Sequence, residues 1–404
     1  MQSNVYVLRP KSGISPTLVA DSADIASDAG DHLLAMQQDD GHIVFELEAD
    51  ATIPSEYIFL NHFLDLREPE LEAELGEHLR SLQSKNHGGW PLFHEGGFNI
   101  SASVKAYFAL KLLGDAEDAP HMIKARNAIL AHGGAEKSNV FCRYSLALFG
   151  QIPWRGVPAM PVELMLMPKW FPANIWKFAY WSRTVIAPLT ILAALKPIAR
   201  NPTNASCREI FCEPPEDIKV WNFNHTGSRW GEFFLRIDKL LHPAEKHIFP
   251  RMKFRKWAIQ RSLDFINGDD GLGAIFPAMA NTAMAYDALG YSPDHEDFVT
   301  ALSACRKLVT ENRQVRDDRP RYVQPCVSPI WDTSLAAHGL LEAGVAPDDE
   351  RIIAMCDWLR DLQILDVKGD WAINAPDLEP GGWAFQYRND HYPDVDDTAV
   401  VGML

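Results

Sequence analysis

Cysteine is sparse in this chain and shows no pattern. The six present (Cys142, Cys207, Cys212, Cys305, Cys326 and Cys356) include no Cys-x-x-Cys pair, which removes the spacing that redox motifs and most zinc sites rely on. The N-terminus lacks the basic, apolar and small-residue succession of a signal peptide. A reducing, cytosolic setting with ordinary buried thiols is therefore the expectation. Long apolar runs are missing as well. The longest, residues 185–195, covers 11 positions and is broken by Pro188 and Thr190, short of the roughly 20 that a helix needs to cross a bilayer. Basic residues are outnumbered, 38 Lys and Arg against 54 Asp and Glu, for a net charge of −16. That balance argues against a general nucleic-acid binder, which needs a basic footprint to displace counterions.

What the chain has is length and ordinary globular balance. Its 404 residues are 47% hydrophobic and 23% charged, enough for two or three domains with sizeable cores. A loose repeat runs through it: a glutamine at a helix end, a Gly/Trp turn, then a helix rich in Ala, Leu and Tyr. The clearest copy has Leu82-Gln83, the turn Gly88-Gly89-Trp90 and a helix over residues 103–114. A second uses residues 263–265, the turn 268–273 and a helix over 280–290. A third helix of this kind covers 333–344. A fourth copy has Trp358 and Gln363, the turn Gly369-Asp370-Trp371 and the helix opened by Asp396-Asp397, and a degenerate version stands at residues 36–41. Apolar residues at helical spacing, such as Phe233, Phe234, Ile237, Leu240 and Leu241, complete the reading of an all-α chain. Paired helices at such intervals imply an open solenoid or a closed α/α toroid, and the irregular spacing disfavours a regular solenoid. Candidate domain breaks are residues 200–215 and 311–325.

The most informative residues are Asp394-Val395-Asp396-Asp397, running on into Thr398-Ala399-Val400 and standing close behind Gly381-Gly382-Trp383-Ala384-Phe385-Gln386. Three carboxyls in four positions cannot all ionise cheaply, so one of them holds a proton while its neighbours tune its acidity. An acid presented among aromatics suits protonation of an electron-rich alkene, whose cation the ring faces stabilise. The same tetrapeptide also suits the start of a helix, where aspartates accept orphan backbone N–H bonds.

These motifs resemble the bacterial squalene-hopene cyclases, which carry Asp-x-Asp-Asp-Thr-Ala behind a Gly-Gly-aromatic-Ala-Phe-Gln stretch. The likeness extends to Ser328-Pro329-Ile330-Trp331-Asp332-Thr333, to residues 168–175, to Tyr180-Trp181-Ser182-Arg183 and to the repeat at residues 83–90, covering nearly the whole chain. The resemblance implies that Asp396 protonates the terminal double bond of squalene while Asp394 and Asp397 hold and activate it. It places Phe385 against the early carbocations, has Trp331 and Trp181 line the cavity, and has Gln386 and Arg143 support the site from behind. No cofactor or metal is called for, because squalene has no diphosphate to ionise. By the same resemblance the fold is a terpenoid-cyclase double α/α toroid. One toroid, at residues 37–324, is inserted in another built from 1–36 and 325–404 and left incomplete. Family members continue well past the acidic motif, so this chain alone is expected to be an inactive fragment. The product expected of the complete enzyme is hopene or hopanol.

Such an enzyme takes squalene from a membrane surface as a monotopic protein on the cytoplasmic side of the inner membrane, and a homodimer is an assembly the resemblance allows. Residues 230–241, followed by Arg251, Lys253, Arg255 and Lys256, form a candidate membrane contact, though an ordinary amphipathic surface helix explains them equally. Competing readings are a class II diterpene cyclase acting on a prenyl diphosphate, which needs a basic diphosphate site, and a non-catalytic helical array that binds a lipid or partner. A protein prenyltransferase subunit would need a zinc site of Asp, Cys and His, and no such spacing stands out among the 14 histidines.

Overall fold

The computed structural model describes residues 16–171, 174–221, 236, 252–263, 272–310 and 320–404. Among these the secondary structure is helical, as expected: thirteen α-helices and several short 3-10 turns, with two isolated bridges, Val309–Val323 and Trp383–Asp394, as the only extended pairings. The chain divides into two compact units. One comprises Met1–Phe45 with Ser328–Leu404, and the other is Glu46–Val327.

Proline and short polar caps set many of the helix starts. Proline occupies the first turn of Pro69–Ser81, Pro120–Ala131, Phe276–Ala288 and Pro329–Glu342, where its missing N–H is no loss. Asn99 caps Ile100–Leu113 by accepting the backbone N–H groups of Ser101 and Ala102, both at 3.0 Å. That helix is apolar on nearly every side and runs through the core of the second unit, burying Val104, Tyr107, Phe108, Leu110 and Leu112 completely. Each large side chain so buried stabilises by roughly 1.5–3 kcal/mol. Phe108 also joins Phe59 and Phe149 in an aromatic trio with centroids 5.2–5.7 Å apart.

The repeat is a physical module, and its parts differ from the sequence expectation. In the second unit, Gln83 Nε2 donates to the Gly88 carbonyl (2.6 Å), the Ser84 N–H to Gly89 (2.9 Å), and the Trp90 N–H to the Ser103 hydroxyl (2.9 Å). The acid-bearing copy repeats this set through Gln363 to Gly381 (2.7 Å), Ile364 to Gly382 (2.9 Å) and Trp383 to Thr398 Oγ1 (3.1 Å). Its turn is thus Gly381–Trp383 and not Gly369–Trp371; Trp371 lies in a separate 3-10 segment, Asp370–Ile373. The two fragments expected as a degenerate copy at 36–41 and a third helix at 333–344 are halves of one module. Gln37 donates to Gly41 (2.7 Å), Gln38 to His42 (2.8 Å) and the Ile43 N–H to Thr333 Oγ1 (3.0 Å). In sequence, the second unit is inserted between those halves.

Other expectations need adjustment. Cys142, Cys207 and Cys305 are buried thiols, but Cys212 is exposed and Cys326 and Cys356 are half-buried; all six are free. Residues 264–271 of the second repeat copy, residues 311–319 of the polar break, and, of the candidate membrane contact, residues 230–235, 237–241 (with Phe233, Phe234, Ile237, Leu240 and Leu241) and Arg251 lie outside the described residues. Among the described residues no helix is long and apolar enough to cross a membrane.

Candidate active site

The acidic motif opens the helix Val395–Met403. Asp394 is its N-cap: the side chain accepts the Asp396 N–H at 2.8 Å, while the Asp394 N–H donates to the Trp383 carbonyl at 2.7 Å. Thr398 closes the turn by donating its hydroxyl back to the Asp394 carbonyl at 2.6 Å. Gly382 must be small here, because a Cβ would stand 2.6 Å from Thr398 Oγ1 and 3.1 Å from Pro393. The Trp383 indole then donates to the Leu359 carbonyl at 2.6 Å. The start of the helix and the Gly-Gly-Trp strand are therefore locked together, and the structural role of Asp394 as a cap coexists with its place in the acidic cluster.

The three carboxyls differ sharply in environment. Asp396 is exposed to solvent, and Asp394 is half-buried. Asp397 is only 1% exposed, and its Oδ1 has no hydrogen-bond partner among the described residues. Burial, followed by the negative charges of Asp394 and Asp396, pushes its pKa up to about 7. The carboxyl whose hold on its proton burial strengthens is therefore Asp397; the donor that the resemblance implies is its neighbour Asp396. Sequence reasoning expected that one of the three would stay protonated. It could not tell which, because that depends on which side of the helix faces the core.

Phe385 is half-buried, and Gln386 is buried and accepts from Asn389 Nδ2 at 3.0 Å. Trp331 is half-buried on Pro329–Glu342, a helix that packs against the acid-bearing one; His338 of that helix bonds the Val400 carbonyl at 3.0 Å. Next to Trp331, Asp332 is buried, and desolvation raises its pKa even though it accepts from the Phe45 N–H (3.0 Å) and Ser328 (3.1 Å). Neither Asp332 nor the Ser103/Thr333/Thr398 hydroxyls were singled out from sequence. The signal was present in the recurrence of a hydroxyl in the first turn of each module helix.

Trp181 and Arg143 belong to the second unit. Trp181 is half-buried on Tyr180–Leu195, edge-on to Tyr180 at 5.3 Å. Arg143 is buried and donates to the backbone carbonyls of Gly156 (2.9 Å) and Trp221 (2.5 Å). The same unit holds a largely apolar cavity of about 350 Å³, walled by Phe59, Leu148, Leu189 and Met284, with Lys105 and Glu56 as an ion pair on its lining. Burial alone would push the Lys105 ammonium down, but the Glu56 carboxylate overrides it and holds the group above its ordinary value.

Two family descriptions match the chain: the squalene-hopene cyclase N-terminal domain over residues 26–314 and the C-terminal domain over residues 327–404. The squalene-hopene cyclase of Zymomonas mobilis is 53% identical over 378 residues, 92% of this chain and 56% of the relative. That of Bradyrhizobium diazoefficiens is 48% identical over 402 residues, 97% and 59%, and that of Alicyclobacillus acidocaldarius 34% identical, 92% and 58%. The chain thus spans little more than half the length of these three relatives. An acid cluster capped into a helix, a Gly-Gly-Trp segment locked to it by hydrogen bonds, and these extended matches place the chain in the squalene-hopene cyclase family, whose fold class is the all-helical α/α toroid.

Proposed function

We propose that the chain carries the acid-bearing part of a squalene-hopene cyclase that converts squalene to hopene or hopanol. The observation that supports this best is a buried, proton-retaining carboxyl, Asp397, one residue from the exposed Asp396. The buried carboxyl and the donor are adjacent members of one interacting set, and Asp396 would hand the proton to the substrate. Transfer of that proton to the terminal alkene forms a C–H bond and leaves a tertiary cation. Successive π bonds attack it in turn, and the last cation loses a proton to give hopene, or takes up water, which then sheds a proton, to give hopanol. Phe385 and Trp331 would offer ring faces that stabilise positive charge without being attacked. Gln386, which is buried, would support them without touching the substrate.

The substrate lives in bilayers. Trp170, 80% exposed, and Trp257, 60% exposed beside Lys256, support docking at a membrane surface, with the inner membrane's cytoplasmic face as the proposed location. Asp396 and its neighbour Val395, 82% exposed, are open to water among the described residues, which would quench a cation. For that reason the 404 residues alone are proposed to be inactive. In a chain extended to the relatives' length, Asp396→Asn should lower squalene turnover by at least roughly 100-fold with fold and membrane binding retained. Turnover within about tenfold of the parent would reject Asp396 as the donor, and pentacyclic product from the 404-residue chain would reject its inactivity.

A further inference from the structure

We infer that His42 is a positioning residue for the Phe385–Gln386 pair, acting through Tyr387; its relevance to cyclisation rests on the function proposed above. The starting point is a departure within the repeat. In two copies of the module the residue before the clamped N–H is glycine, Gly89 or Gly382, because a Cβ there would stand 2.5 or 2.6 Å from the clamping hydroxyl. In the copy clamped through Ile43 and Thr333, that residue is His42. A large side chain has been admitted where the other copies exclude even a methyl group.

Its ring is held through both nitrogens and one face. Nδ1 contacts Asp40 Oδ1 at 2.5 Å and Nε2 contacts the Tyr387 hydroxyl at 2.8 Å. One face stacks on Trp358 with centroids 4.8 Å apart, and the Trp358 indole donates to the other oxygen of Asp40 at 3.2 Å. Tyr387 stands edge-on to both rings, at 5.4 Å from His42 and 6.3 Å from Trp358. Partial burial works against the Asp40 carboxylate, but its bonds from His42 hold it below the ordinary range. An ionised Asp40 accepts from Nδ1–H, which leaves Nε2 to face the Tyr387 phenol.

The consequence falls on the strand between two anchors. Trp383 is fixed at one end by Thr398, Asp394 and Leu359. Tyr387 is fixed at the other by His42. Only Ala384, Phe385 and Gln386 lie between. With both ends held, Phe385 has one orientation; with the Tyr387 anchor released, the strand pivots about Trp383.

The test compares Tyr387→Phe, which removes a single hydroxyl, with His42→Gln and the double variant. In the 404-residue chain, amide hydrogen exchange at residues 384–387 should quicken by roughly tenfold in each single variant, as expected for loss of one such bond. The double variant should be no faster, and exchange in the helix Glu350–Asp361 should not change. In the chain extended to its relatives' length, all three variants should divert squalene toward early-quenched mono- and bicyclic products with KM little altered. General loss of stability would instead lower all products in proportion. Unchanged local exchange in Tyr387→Phe, additive effects in the double variant, or acceleration spread evenly over the unit would overturn the inference. An extended parent that makes no cyclic product would count against the functional reading alone, and the exchange comparison would still decide the anchor.

Discussion

Two turns built alike differ in what stands on the helix each one opens. At residues 83–103 and 363–398, glutamine, Gly-Gly-Trp and a first-turn hydroxyl make the same hydrogen bonds within a few tenths of an ångström. Even the indoles match, Trp90 to the Leu79 carbonyl at 2.7 Å and Trp383 to Leu359 at 2.6 Å. Aligning the hydroxyls Ser103 and Thr398 puts Asp397 where the other copy has Ala102, which is fully buried, and Asp396 where it has Ser101. The position that packs a methyl group in one copy thus carries a carboxyl in the other. The raised pKa of Asp397 follows from this placement: a core position of a structural module has been given an ionisable side chain. The split module adds a third case, with Asp332 at the equivalent place beside Thr333, also buried and also pushed up.

The comparison is broken most forcefully by moving the acid. Ala102→Asp would bury a carboxyl in the second unit, in a site built for a methyl group. Such substitutions cost about 3–5 kcal/mol, a large share of a typical total of 5–15 kcal/mol. Urea denaturation should show a loss of that order at pH 7 and a smaller one near pH 4, where the new carboxyl folds neutral. A loss below about 1 kcal/mol at pH 7 would mean that the position tolerates charge by itself, and that burial is not what perturbs Asp397.

A subtler change works in the native copy. The folded pKa of Asp397, about 7 against an ordinary 3.8, lies above the unfolded value. Its contribution to stability is therefore fully present below about pH 4 and is lost as pH rises toward 7. The whole loss is at most roughly 4 kcal/mol. Asp397→Asn, which cannot ionise, should flatten this part of the pH–stability curve and make the protein more stable than the parent at pH 8. Parallel curves for parent and variant from pH 4 to 8 would show that Asp397 is ionised in the fold.

Sequence alone exposed much of this, but not its pairing. Helical periodicity and the Gly/Trp turns sufficed for an all-α chain, and the acidic motif was found because three carboxyls in four positions are rare. The true partner of each turn was not legible. Gly369-Asp370-Trp371 looks like a better turn for Gln363 than Gly381-Gly382-Trp383, and only the hydrogen bonds of Gln363 and Ile364 decide between them. Likewise, residues 36–41 and 333–344 read as unrelated fragments because nearly three hundred residues of another unit separate two halves clamped by Thr333. The environment of each aspartate was hidden for a related reason: helix phase relative to the core depends on contacts far away in sequence.

The smallest expected difference concerns the clamp itself. Ser103→Ala and Thr398→Val each remove the hydroxyl that accepts a tryptophan N–H. An unsatisfied buried donor costs about 1–3 kcal/mol, and the cost falls as water gains access. Trp90 is fully buried, whereas Trp383 is half-buried, so Ser103→Ala should cost about 2 kcal/mol and Thr398→Val about 1 kcal/mol. Thr398 has a second duty, the bond to the Asp394 carbonyl, that Ser103 does not share with Asn99. If that bond mattered more than burial, the order would invert. Chemical denaturation of the two variants in parallel separates these causes, because a larger loss at Thr398 could come only from the helix start that presents the acids.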